Sequence, residues 1–118
     1  MKLEQARRYA LSLPEVHEEP HHDFSSFRIG AGGRIFATVP PDGQHLHILV
    51  DEEHREPLVV SEPATYEKLW WGKKVLGVRV NLAKAKTTTV NELLVAAWRN
   101  KAPKRLVTAF DAVARAGL

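Results

Sequence analysis

Cysteine is absent from this 118-residue chain. No disulfide, thiolate nucleophile or thiolate-bound metal can form within it. Long apolar runs are absent as well, and nothing approaches the ~20 consecutive apolar residues of a membrane-spanning helix. The opening residues, MKLEQARRYALSLPE, carry charges where a secretory leader would have to be apolar. A cytoplasmic protein is therefore expected. Acid is scarce in one half only. Residues 1–67 hold 12 Asp/Glu against 6 Lys/Arg, whereas residues 68–118 hold 2 against 11, giving the net charge of +3. That split predicts a dipolar surface with a basic side able to attract phosphates.

The frames of several enzyme classes are missing. No serine sits in a nucleophile elbow. The GAGG at 30–33 closes a hairpin and lacks the lysine and helix of a phosphate-binding loop. The acids at 15–19 and 51–56 fall in connecting or helix-start segments, where solvation accounts for them. No catalytic residue is assigned. Six histidines raise the question of a metal, because His45 and His47 stand two apart on one strand face and His17, His21 or His22 could complete a set. No further ligand has the right spacing, so neither a metal nor a cofactor is expected.

What is present is an alternation of short periodic segments. Leu3, Ala6, Ala10 and Leu13 recur at three and four, which predicts a helix over 2–13 ended by Pro14. Residues 14–23, PEVHEEPHHD, read as a polar connection. FSSFRI (24–29), RIFATV (34–39) and HLHILV (45–50) alternate as strands, and GAGG and PPDG turn between them, which predicts a three-stranded antiparallel meander. Residues 51–61 read as a helix opened by Asp51, and Pro57 implies either that it is short and begins near Pro57 or that it is distorted there. Leu76, Val78, Val80 and Leu82 alternate as the core face of a strand over 75–82. Thr89 to Glu92 fit a capping box opening one helix, and Pro103 fits the first turn of another. The expected fold is a single α+β domain over residues 1–118. It comprises an antiparallel sheet, an N-terminal helix, a short middle helix and two C-terminal helices.

These segments, in this order, resemble the MmcQ/YjbR family of small bacterial proteins. The resemblance rests on ALSLPEV (10–16), SFRIGAGGRIFATV (26–39), WGKK (71–74) ahead of RVNL (79–82), and AWRNKAPKRL (97–106), and it spans nearly the whole chain. It implies a fold likened to CyaY-type and secretion-chaperone-like domains, and a DNA-binding protein with a double-wing motif. Relatives often carry a bulky residue after the WGKK-like turn, where this chain has Val75, Leu76 and Gly77.

The basic residues give the same functional direction independently. Lys73 and Lys74 follow Trp70 and Trp71 in a turn, Arg79 leaves the outer face of the next strand, and Lys104 and Arg105 stand at the junction of the last two helices. These five, with Trp71 at the edge, form the expected phosphate-contacting surface for double- or single-stranded DNA. One tryptophan of the pair is expected in the core near Trp98 and the other in an outer groove. Aromatics beside cations suit unpaired bases, but equally a protein segment or small ligand, so a chaperone-like binding module is the alternative. Either way a non-enzymatic monomer is expected, with no membrane partner.

Overall fold

Turns that need few residues fold the first half of the chain back and forth on itself. In the computed structural model, which describes residues 1–117, α1 (Leu3–Ser12) leads into β1 (Val16–His21), β2 (Phe24–Ile29), β3 (Arg34–Val39) and β4 (His45–Ile48), an antiparallel meander. The chain crosses through α2 (Glu52–Ser61), returns as β5 (Tyr66–Trp71), and turns back as β6 (Lys74–Asn81). β6 inserts beside β4, so the six-stranded sheet has the order β1-β2-β3-β4-β6-β5, antiparallel throughout. A 3₁₀ turn (Leu82–Lys84) leads to α3 (Thr87–Lys101) and α4 (Lys104–Ala116).

The register aligns apolar residues in rows across one face. Phe27, Ala37, Ile48 and Val78 are successive cross-strand partners, and Leu46 pairs with Val80 in the next row. All six are fully buried. α3 covers them with Val90, Leu93, Leu94, Ala97 and Trp98, and α1 adds Ala6 and Ala10. Each large aliphatic chain buried here contributes about 1.5–3 kcal/mol. α2 keeps to the same side, since Glu56 reaches 3.3 Å to Lys68, whose partner is Val78. Among the described residues, the other face carries no helix.

The structure departs from the sequence-based expectation in several places. Residues 16–21 are not a connection but the edge strand β1. Its ladder is made by the main chain, and an edge position accommodates Pro20, so neither apolar alternation nor an unbroken set of amides is required. The meander therefore has four strands, and β5 adds a strand at the other edge. Leu76 is not in the core. The β5–β6 register slips between Leu69 and Trp70, leaving Leu76 as the extra residue of a β-bulge and 42% exposed. The capping box does not form. α3 starts three residues earlier, with Lys86 as its cap, and the Thr89 hydroxyl lies against the buried Tyr66 phenol. α2 runs straight through Pro57, with Asp51 accepting from the His54 amide at 3.1 Å as its cap. It buries no residue fully, in keeping with the single-sided contact of a short helix.

Candidate nucleic-acid interface

The edge hairpin joins β5 and β6 through two residues, Gly72 and Lys73. A positive φ of 59° at Gly72 alone is the pattern of a type II′ turn, whose twist matches that of its strands. Lys73 and Lys74 at its tip are exposed, and among the described residues neither is ion-paired. Trp70 and Trp71 are 58% and 73% exposed. Strand alternation sends them to opposite sides, and neither joins the core. Trp98 alone holds the indole position in the core, its Nε1 donating to the Pro14 carbonyl at 3.1 Å.

Beneath the hairpin lies a groove of about 240 Å³, lined by Leu49, Val50, Val75 and Leu76 and rimmed by Asp51, Arg55, Asn100 and Lys101. The bulge at Leu76 opens it: pushed from the core face, Leu76 becomes part of the groove wall. Arg55 donates from Nη1 to the Val50 carbonyl at 3.2 Å, which fixes its guanidinium at the rim. The Asp51 carboxyl is held below its ordinary range chiefly by the His54 side chain and amide.

The residues expected to contact phosphate fall into two groups. Following the register from β1 to β5, the hairpin tip lies at the same end of the sheet as the start of β1. Lys104 and Arg105, in the first turn of α4, share this end. Arg105 is held by Glu15 at 3.0 Å, just ahead of β1 and four strand spacings, roughly 19 Å, from β6. Lys104 is exposed. Arg79 lies apart, on the helix-free face, between Glu67 at 3.1 Å and Asp42 at 3.5 Å. Lys101 and Arg55, which sequence reasoning does not select, are brought to the hairpin by the groove. Lys101 belongs to the basic run at the helix junction, whereas Arg55 sits in the acidic stretch DEEHRE, which hides it.

The helix-free face carries a polar row running through all six strands: Glu19, Ser26, Thr38, His47, Arg79 and Glu67 are successive cross-strand partners. Ser26 Oγ donates to the Glu19 carbonyl at 2.7 Å and accepts from Arg28 Nε at 2.9 Å. Arg79 Nη1 donates to His47 Nε2 at 2.9 Å, which requires a neutral imidazole at that nitrogen. His47 is only 8% exposed, and its pKa is pushed down to about 4, chiefly by burial, with Arg79 and His45 adding and Asp42 opposing. Unfolding returns it to about 6.5. Between these values the unfolded chain binds the extra proton, so this contribution is fully present above pH 6.5 and is lost as pH falls toward 4. The loss amounts to on the order of 3 kcal/mol. His47→Gln keeps an acceptor and cannot titrate, so its denaturant midpoint should fall less than that of the wild type between pH 7 and 4.5. Parallel declines for the two proteins would count against this role.

The class that the fold defines is a small α+β domain, with four helices and a six-stranded antiparallel sheet. The YjbR family model matches residues 11–100, and the chain belongs to that family. The match ends before α4. No curated protein matches the chain.

Proposed function

We propose that the protein is a non-enzymatic, cytoplasmic DNA-binding domain whose contact surface is the β5–β6 hairpin. The observation that carries this reading is the hairpin tip itself, with Lys73 and Lys74 exposed and without ion pairs among the described residues, beside two exposed tryptophans. Lysines in that state release counterions when they meet a phosphate backbone, whereas cations already held by carboxylates gain little. The working set is therefore Lys73, Lys74 and Lys104, joined by Lys101 at the groove. Arg79 and Arg105 make weaker contributions because Glu67, Asp42 and Glu15 hold them.

Fluorescence anisotropy with labelled DNA at two salt concentrations tests the reading. Wild-type affinity should fall steeply with salt, and replacing Lys73 and Lys74 with alanine should flatten the slope of log affinity against log salt by about two. An absence of binding at low salt would end the DNA reading in favour of a protein segment or small ligand at the groove beside Trp70.

A further inference from the structure

We propose that the groove beneath the hairpin receives an unpaired nucleobase, so that the preferred ligand is a single strand; this deepens the nucleic-acid reading above and rests on it. The geometry supplies each part such a site requires. Trp70 stands directly opposite Val75 in the β5–β6 register. Opposed residues of an antiparallel pair project to one face with their Cβ atoms ~4.5–5.5 Å apart, which puts the exposed Trp70 side chain on the same face of the hairpin as Val75, a residue of the groove lining. The floor of Leu49, Val75 and Leu76 offers apolar contact to a ring. At about 240 Å³ the groove greatly exceeds the ~30 Å³ share of one water, so it has room for a planar heterocycle rather than a lone ion.

The rim completes the match. Asn100 stands at the rim, and its primary amide offers an N–H donor and a carbonyl acceptor to a base edge. Lys101 flanks the groove and Lys73 lies in the hairpin turn above it, which places cations beside the path of the sugar–phosphate on either side of an inserted base. Arg55 is held by Glu56 at 3.5 Å, and Lys74, opposite Trp71, projects to the other face. A duplex offers this site no ring, since its bases are paired and stacked; it meets the hairpin through phosphates alone. A single strand offers both, and stacking on an aromatic contributes ~1–3 kcal/mol per base irrespective of sequence. The bulge that ejects Leu76 from the core is thus what builds the wall of the site.

The test compares three labelled ligands of equal phosphate number at one low salt concentration: a mixed-sequence DNA strand, its duplex, and a strand of abasic sugar–phosphate units. A uridine-rich RNA strand forms a fourth arm that separates the two possible sources of unpaired base. The DNA strand should bind at least about tenfold more tightly than the duplex and the abasic strand. Trp70→Ala and Leu76→Gln should each remove about tenfold from strand binding and leave duplex affinity unchanged. Neither side chain belongs to the buried core, so the fold should survive, and a melting curve checks it. If either variant fails to fold, the comparison of wild-type ligands still decides. Equal affinity for strand, duplex and abasic ligand would overturn the base-binding groove and leave the hairpin reading standing. No binding to any of them would remove both.

Discussion

Trp98→Ala should destabilise the protein by about 3–5 kcal/mol, a large share of the ~5–15 kcal/mol that holds a domain of this size together. Trp98 is the largest fully buried side chain. Its ring meets Phe110 of α4 with centroids 5.1 Å apart at 50°, a tilted contact favourable to two aromatic rings. Its Nε1 donates to the Pro14 carbonyl at 3.1 Å, between α1 and β1. One side chain thus ties α3 to α4 and to the chain's first corner. Outside it, Arg99 covers the Phe110 ring at 5.3 Å and pairs with Asp111 at 2.5 Å, closing the α3–α4 junction from the solvent side. Alanine would leave a cavity with few mobile neighbours to fill it, and would strip the Pro14 carbonyl of its donor. Trp98→Phe keeps most of the volume and loses the donor, so it should cost less than the alanine variant. Urea midpoints for the two variants give the comparison. A loss under ~1 kcal/mol for Trp98→Ala would show that α3 does not pack through this ring.

Much of this fold is legible in the sequence because apolar alternation reports burial directly. Residues 24–29, 34–39 and 45–48 form strands where the alternation places them, and Pro14 and Pro103 punctuate helices as their chemistry requires. Alternation fails where the backbone breaks its own period. Phe36 should lie opposite Ile35 and Ala37, yet it is fully buried, because the β2–β3 register slips there and turns it inward. Leu76 should lie with Val78 and Val80, and the same device turns it outward. Nothing in the local residue pattern marks either slip. β1 escapes detection because an edge strand with one half-open face can be almost wholly polar. β5 has no clear alternation either, so the pairing of Glu67 with Arg79 leaves no trace along the chain, and Arg79 reads as a free cation. The site is legible to a similar degree. WGKK announces a hairpin with cations, whereas Arg55 and Lys101 meet beside it only through the packing of α2 and α3, which no spacing along the chain encodes.

Gly77→Ala should be the most damaging of the small substitutions, at about 3 kcal/mol or more. A Cβ placed on Gly77 would stand 2.0 Å from the Ile48 carbonyl oxygen and 2.9 Å from the Leu49 Cα. Both are main-chain atoms at the end of β4, so no side chain can swing aside. The only relief is to part β4 from β6, and the adjoining pairs Ile48–Val78 and His47–Arg79 hold those strands together. Separation would therefore strain the core row and the polar row at once. It would also shift Val75 and Leu76, so any folded fraction should lose the strand preference of the groove. Gly72→Ala is the control. Gly72 has φ +59°, but among the described residues no atom lies within 4 Å of the place a methyl group would take. Alanine there meets no distant part of the chain but carries the backbone strain of a type II′ position that favours glycine, about 1–3 kcal/mol. Denaturant unfolding should rank Gly77→Ala well below Gly72→Ala in stability. The reverse order would mean that β4 and β6 do not approach so closely, and with them would go the bulge that places Leu76 in the groove.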